Sequence, residues 1–284
     1  MNRLRVTLSV DDGHPLDLRT AELLARHGLR ATFYLPLANR EGPPVLAHAQ
    51  MRALAEDFEI GSHTLSHRFL AGLDERSAWR EISDGKRALE DCIGRPVGGF
   101  CYPGGRYRPL HVRQVQAAGF HFARTTQNLR MDAGRSPFEM PASAQFYPHP
   151  RAVWLRNFLS QRDWTARAPA LLAVLREADW RMRLQRLLTL AQARGGLFHL
   201  WWHSLDIERI GLWDELGRFL AQLAARVPPA CRLANGEIVS EAFSAGVLTP
   251  PAAPAPLPEA PAPPDTRKTR RRPHPSRPSG NNVT

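Results

Sequence analysis

Cysteine and long apolar runs are both scarce in this sequence of 284 residues. The three cysteines are Cys92, Cys101 and Cys231. This odd and widely spaced set predicts free thiols in a reducing compartment rather than a disulfide framework. No run of about 18 apolar residues occurs, which argues against a transmembrane helix. The chain is 43% hydrophobic and 23% charged, a balance typical of a globular domain and not of a disordered chain.

No export signal is evident either, because a strand pattern begins at Arg5 and reaches an acidic turn at Asp11. Together with the free thiols, this leads us to expect a cytoplasmic protein. Acidic residues are in the minority, at 27 against 38 lysines and arginines, which gives a formal net charge of +11. Such a charge favours solubility and the attraction of anionic partners, but it specifies no particular partner.

The composition changes after about residue 247. Eleven of the 25 prolines lie between Thr249 and the C-terminus, where a stretch rich in alanine and proline precedes a basic cluster. Such a segment cannot build a core, so we divide the chain into a globular domain at 1–247 and a disordered tail at 248–284. The tail offers no aromatic side chains, so we expect no specific nucleic-acid recognition. At most it makes a weak electrostatic contact with membranes or polyanions.

Within residues 1–247, strand and helix patterns alternate. Apolar and polar residues alternate at 6–10, which predicts a strand with one apolar face, and an amphipathic helix pattern follows it. This succession continues to about residue 125. After an irregular stretch at 130–150, the predicted elements are helices at 152–159 and 166–194, a strand at 196–202, a helix at 213–226 and a short segment at 238–239. The succession predicts a parallel sheet with right-handed crossovers, open or closed into a barrel.

Ionisable side chains collect at the predicted strand ends. Asp11 and Asp12 follow the first strand, His63 and His67 follow the third, and His203 follows the apolar strand near the C-terminus. The carboxyl ends of parallel strands meet at one edge, which is where α/β folds place their chemistry. An acidic turn alone is ordinary turn chemistry. The additional histidines at the ends of other predicted strands favour a functional site.

His63 and His67 are spaced i and i+4, which places them on one face of a helical turn, close enough to bind one metal. The spacing alone is weakly specific, since His199 and His203 repeat it. A carboxylate from another strand end would complete a set of two histidines and one carboxylate, which is typical of a catalytic metal site. Adjacent aspartates point in different directions, so one can bind the metal while the other accepts a proton from water.

Four segments, in this order, resemble the NodB-type polysaccharide deacetylases, carbohydrate esterase family four. The family's first motif is T-F-D-D-G, the second is H-[ST]-x-x-H, the third is R-x-P-[YFW]-G, and the last is a strand that ends in L-x-H. The matching segments here are Ser9-Val10-Asp11-Asp12-Gly13, His63-Thr64-Leu65-Ser66-His67, Cys101-Tyr102-Pro103-Gly104-Gly105 and Trp201-Trp202-His203. The second motif matches in full. The resemblance spans about residues 5–243 and rests on the joint occurrence of all four segments.

This resemblance implies a distorted (β/α)7 barrel and the removal of an N-acetyl group from an amino sugar. It implies a divalent metal, most often zinc, held by three side chains: Asp12, His63 and His67. Asp11 would be the general base. The backbone N–H of Gly104 would help to hold the oxyanion, and His203 would protonate the departing amine.

The third motif departs from the family pattern at two positions. Cys101 replaces the arginine that orients the catalytic aspartate, and a neutral thiol cannot form that ion pair. Arg106, in the following loop, is one candidate substitute. Gly104 replaces an aromatic residue, which is expected to remove one wall of the sugar-binding groove. The family's aspartate that orients the final histidine is not evident, and Asp132 and Asp163 are both candidates.

The expected substrate is an N-acetylated glycan, and more narrowly an intracellular precursor such as a nucleotide- or lipid-linked amino sugar. This narrower expectation rests on the missing export signal and the positive charge. Two alternatives stay open. A relative that hydrolyses a non-sugar linear or cyclic amide, as allantoinase-like members of the superfamily do, is favoured by the altered third motif. A non-catalytic glycan- or anion-binding relative would keep the fold without the reaction.

Overall fold

The computed structural model describes residues 4–243, so the predicted tail at 248–284 lies outside the described residues. Within this range seven strands form one sheet: β1 Arg5–Asp11, β2 Thr32–Leu35, β3 Glu59–Ser62, β4 Gly99–Cys101, β5 Phe122–Arg124, β6 Ala144–Gln145 and β7 Leu197–His203. All neighbouring strands are parallel, in the order β5-β4-β3-β2-β1-β7-β6. The sheet curls into a half-barrel, which confirms the predicted distorted (β/α)7 barrel.

Ten α-helices occur in the same range: α1 Asp17–Arg26, α2 His48–Asp57, α3 Glu75–Ile93, α4 Pro109–Ala117, α5 Arg151–Ser160, α6 Trp164–Leu175, α7 Trp180–Arg194, α8 Ser204–Arg209, α9 Trp213–Arg226 and α10 Asn235–Phe243. Among the helices described here, none combines the length and the apolar character that a membrane crossing needs. Both faces of the central strands are covered, and β1 is buried from its second residue onward. This is the expected environment of a parallel sheet.

The two faces of β1 differ in chemistry. Val6, Leu8 and Val10 belong to the main apolar core. The opposite face carries polar residues, and Ser9 pairs with His199 and Asn235, each at 2.8 Å. Buried polar groups require such partners, because an unpaired one loses its hydrogen bonds to water. The inner face of the sheet is therefore built for polar groups, and Asp11 lies at its end.

The structure differs from the sequence-based prediction at three places. The predicted helix at 166–194 is two helices, because Asp179 takes an extended conformation and caps the start of α7 by accepting a hydrogen bond from the Arg181 N–H. The irregular stretch at 130–150 contains the short strand β6. The segment at Ile238-Val239 lies in α10, where both side chains join a second apolar cluster with Tyr34.

Strand register brings distant parts of the sequence to one edge. Asp11 is the Cα partner of His203 on β7, and Cys101 is the partner of Arg124 on β5. β3 ends at Ser62, directly before His63. The carboxyl edge of the sheet therefore gathers the residues from which the site is built.

Candidate active site

The acidic turn separates its two carboxylates. Asp11 ends β1 and is 3% exposed, whereas Asp12 adopts a left-handed conformation with φ of 80°. Non-glycine residues rarely adopt this conformation, and here it directs the Asp12 side chain out of the strand line and into a cleft. Gly13, with φ of 63°, continues the left-handed turn. Two adjacent aspartates thus face different partners.

Asp12 lies between two histidines. Its Oδ1 atom is 3.1 Å from Nε2 of His67 and 3.6 Å from Nε2 of His63. One donor atom from each of the three side chains lies within 4.8 Å of the other two. The structure therefore brings together the three residues that the family resemblance assigns to the metal.

The segment from His63 to His67 is a turn and not the helical turn that the spacing predicts. Thr64 and His67 have positive φ angles of 69° and 56°, which bend the chain so that both imidazoles face Asp12. Glu81 of α3 holds this turn, since its carboxylate accepts from the Ser66 N–H at 2.9 Å and the Ser66 hydroxyl at 2.6 Å. A side chain of α3 therefore fixes the turn that carries both histidines.

The donor set fits a divalent metal. Nδ1 of His63 donates to the Cys101 carbonyl at 2.8 Å, which leaves the Nε2 lone pair directed at Asp12. Oδ1 of Asp12 is buried and has no hydrogen-bond partner among the described residues. Burial alone would raise the pKa of Asp12, but His203, His63 and His67 outweigh it and lower the pKa. An ionised carboxylate and two imidazoles are ligands that zinc and similar cations accept.

Asp11 is held by an arginine that the sequence motif does not contain. Nη2 of Arg124 donates to the two carboxylate oxygens of Asp11 at 2.8 and 2.6 Å, and its side chain is fully buried. Its guanidinium also lies over the Trp201 ring, 4.7 Å from the centroid. Arg124 comes from β5, beside the position of Cys101 on β4. The arginine role is thus filled from the neighbouring strand.

The hypothesis that Arg106 replaces the missing arginine is wrong. Its guanidinium lies over the Phe69 ring, 4.9 Å from the centroid, at the cleft wall. Cys101 itself lies 3.8 Å from Oδ2 of Asp11, with its thiol buried. Burial raises the pKa of this thiol well above its ordinary value, so the group stays protonated. A small neutral side chain at this position is compatible with the Arg124–Asp11 pair.

His203 has an orienting carboxylate three residues further on. Nδ1 of His203 is 2.8 Å from Oδ2 of Asp206, in the first turn of α8. Burial lowers the pKa of His203, but Asp12 and Asp206 outweigh this effect and raise it to about 9. Both carboxylates therefore favour the protonated form of the imidazole. Both aspartates considered from the sequence are wrong for this role, because Asp132 and Asp163 each pair with an arginine, Arg130, at 2.6 Å.

Gly104 lies in the turn at Pro103–Gly105, with φ of 59°. A Cβ atom at this position would lie 2.9 Å from Cε1 of Phe69, a distance that real contacts do not reach. The Phe69 ring therefore occupies the place next to Gly104, and it also contacts the His67 ring edge-on at 6.2 Å between centroids. The expected loss of an aromatic wall is wrong, because Phe69 supplies that wall from the loop before α3.

The site opens into a cleft of about 700 Å³. Asp11, Asp12, His63, His67, Gly104 and His203 all line it. The opposite wall is formed by α5, whose Arg156 and Asn157 face the same space. The cleft is therefore wider than the histidine cluster and can hold a substrate that extends beyond its reacting group.

Comparisons with known proteins agree with this architecture. The model of the polysaccharide deacetylase family matches residues 1–123. A peptidoglycan-N-acetylglucosamine deacetylase of Bacillus cereus is 26% identical over 121 residues, which cover 42% of this chain and 55% of the relative. The match thus spans about half the length of that curated relative.

Two solved structures share the fold over most of both chains. A proposed polysaccharide deacetylase of Mycobacterium smegmatis has a TM-score of 0.60 and 18% identity, over 86% of this chain and 91% of the other. The chitin deacetylase of Colletotrichum lindemuthianum has a TM-score of 0.52 and 16% identity, over 83% and 86%. The family match at residues 1–123 and the shared fold support the resemblance to the NodB-type polysaccharide deacetylases that the motifs predict.

We expect zinc binding to depend on His63 and His67 and not on another histidine of the cleft wall. Full-length protein stripped with a chelator and reloaded should bind about one zinc ion per chain, as measured by elemental analysis after gel filtration. The double variant His63→Ala, His67→Ala should lose this ion while its circular dichroism is unchanged. His149→Ala, which alters another histidine of the cleft wall, should keep it. Retention of a full equivalent by the double variant would contradict the assignment.

Proposed function

We propose that the protein is a metal-dependent deacetylase that hydrolyses the N-acetyl amide of an amino sugar. The observation that carries this proposal is that three groups around one cleft each have their own partner. Asp11 is held by Arg124, Asp12 faces His63 and His67, and Asp206 orients His203. Amide hydrolysis needs a base for water, an acid for the leaving amine and a means of polarising the carbonyl, and these groups can supply all three.

Asp12, His63 and His67 would hold the metal, for which zinc is our first candidate. When bound there, a divalent metal supplies Lewis acidity for the acetamide carbonyl and for water. Asp11 lines the cleft and would accept the proton of the attacking water. Arg124 acts as a positioning residue, because its contact with both oxygens fixes the plane of the Asp11 carboxylate.

The leaving amine requires a proton. We assign this proton to Nε2 of His203, because Asp206 binds Nδ1 and so directs the other ring nitrogen to the cleft. The amide N–H of Gly104, in the turn after β4, would donate to the developing oxyanion. A backbone donor serves this purpose without a side chain, which agrees with glycine at this position.

The cleft wall supports an N-acetylated glycan as the substrate class. Phe69 lines the cleft and adds aromatic surface of the kind that contacts sugar rings. Arg106 and Arg156 line the cleft and form no ion pair with any other residue in the described range. These two cations favour a substrate that carries an anionic group, such as the phosphate of a nucleotide- or lipid-linked precursor. Within the class of N-acetylated glycans, we propose such a precursor as the specific kind of substrate.

The two alternatives lose support for specific reasons. A non-sugar amide was favoured by the missing arginine and aromatic of the third motif, but Arg124 and Phe69 fill both places. A non-catalytic binding role would not need Asp11 to be held by Arg124 near a His203 that Asp206 orients. We therefore retain the deacetylase as the single proposed function.

The proposal predicts acetate release from N-acetylated sugars. Zinc-loaded protein should release acetate from N-acetylglucosamine oligomers or nucleotide-linked N-acetylhexosamines, and chelator-treated protein should not. Asp11→Asn should lower the rate by about 10²-fold or more, since it removes the base but preserves the shape. Release of no acetate with any added divalent metal, together with hydrolysis of allantoin, would transfer the assignment to the non-sugar amide.

The position of Arg124 predicts that a second substitution, at position 101, can compensate for its loss. Arg124→Cys should lower kcat by about 10²-fold or more with little change in KM, because substrate contacts remain while Asp11 loses its orientation. It should also lower the free energy of unfolding by about 3–5 kcal/mol, because it leaves a buried carboxylate unpaired. Adding Cys101→Arg restores the family's arrangement and should recover much of both losses.

Arg80→Cys, on an exposed part of α3, is the matched control and should change neither quantity. Wild-type kcat in Arg124→Cys would refute the positioning role. A double variant that regains stability without regaining kcat would show that the pair serves only the fold.

The contact of Asp206 with His203 predicts that the rate lost without Asp206 depends on the leaving group of the substrate. Asp206→Asn should slow amide hydrolysis by about 10²-fold, because it weakens the fixation and charge of the proton donor His203. An aryl acetate needs no proton on its leaving group, so its hydrolysis should fall much less. Asp91→Asn, on the exposed side of α3, serves as the control. Equal losses with both substrates would contradict the role of His203 as an acid.

A further inference from the structure

Four large apolar side chains are exposed on two adjacent helices. They are Leu155 and Leu159 on α5 and Trp164 and Leu172 on α6, and they are between 43% and 61% exposed. We call these four residues the α5–α6 face. Only three other large apolar side chains in the described range are exposed: Phe69, Met182 and Ile210. The exposed apolar surface is therefore concentrated on one helix pair.

α6 is apolar on both of its sides. Ala170, Leu171 and Val174 are buried against the protein, while Trp164 and Leu172 face outward. A helix with apolar residues all round is normally enclosed by protein or lipid. On α5, Leu155 and Leu159 stand one turn apart and form an outward ridge. An exposed apolar surface of this kind marks a place of contact with another body.

These two helices and the link between them carry positive charge that is not balanced by ion pairs. Arg151, Arg156 and Arg162 are exposed, and none forms an ion pair with another described residue. Asp163 is the single acidic residue of the sequence at 151–175, and Arg130 already binds it at 2.6 Å. Apolar side chains beside arginines are typical of helices that lie at the surface of an anionic membrane. A second copy of this chain would instead bring its own arginines against these.

The geometry points to an anionic lipid bilayer as the partner of the α5–α6 face. The indole N–H of Trp164 donates to the Gln161 carbonyl at 2.7 Å, so its ring is available to the headgroup region without an unpaired donor. α5 also forms a wall of the cleft through Val153, Asn157 and Ser160. Docking of this face would hold the cleft at the level of the lipid headgroups. The inference does not depend on the proposed function; if both hold, the cleft reaches sugars attached to lipids.

Local contact with the bilayer can be measured because the native cysteines are all buried. Leu159→Cys in the full chain places one accessible thiol on the face, and Arg80→Cys on α3 provides the matched control. Each is labelled with an environment-sensitive fluorophore and mixed with vesicles of phosphatidylcholine, with or without phosphatidylglycerol. We expect a blue shift at position 159 with the anionic vesicles and none at position 80.

A second measurement removes the apolar side chains. The triple variant Leu155→Gln, Leu159→Gln, Leu172→Gln should sediment with anionic vesicles about tenfold less than the unaltered chain, because it loses three insertable side chains. Its acetate release from a soluble substrate should be unchanged, since none of the three lines the cleft. Met182→Gln with Ile210→Gln controls for the loss of apolar surface elsewhere and should sediment normally.

Three outcomes would overturn the proposal. Sedimentation that the triple variant does not reduce would assign vesicle binding to another part of the chain, such as the basic C-terminal residues. A blue shift that appears without vesicles and grows with protein concentration would identify a second copy as the occupant. No shift and no sedimentation with anionic vesicles would leave the face without a lipid partner.

Discussion

The buried ion pair between Arg124 and Asp11 is the interaction on which the rest of the site depends. Two charges without access to water are tolerated only when each satisfies the other, so the pair fixes the ends of β1 and β5 relative to one another. The guanidinium lies over the Trp201 ring, and the Cys101 thiol lies 3.8 Å from Oδ2 of the same aspartate. Asp11 is thus bound by Arg124, while the left-handed conformation of Asp12 turns its side chain toward the histidines. The two adjacent carboxylates therefore have different partners, as their different proposed roles require.

The same principle explains the other departures from the family motifs. A role in a site is defined by where an atom lies and not by the position in the sequence that supplies it. Phe69 brings an aromatic ring beside Gly104 from a different loop, and Asp206 orients His203 from the helix that follows it. Three supporting groups have thus been supplied from new positions, while the groups that would contact metal or substrate keep their motif positions.

The difference between what the sequence predicts and what it misses has a physical basis. His63 and His67 are predictable because a short motif directly after a strand fixes both side chains locally. Arg124 is not, because its contact with Asp11 depends on the register of β4 against β5, and register is a property of the whole sheet. A weak signal exists in the sequence: a charged residue within an apolar strand pattern needs a buried partner. Asp206 does not stand out in the motif pattern, because it follows His203 on the next helix and does not precede it in the chain.

The central claim is that Arg124 keeps Asp11 as a free base while Asp12, together with the histidines, binds the metal. A crystal structure of the zinc-loaded full chain, with the ion located by anomalous scattering, tests it most directly. We expect one ion in contact with Asp12, His63 and His67, and an Asp11 carboxylate that still receives both hydrogen bonds from Arg124. An ion bound directly to Asp11, or an Arg124 side chain turned away from Asp11, would contradict these assignments.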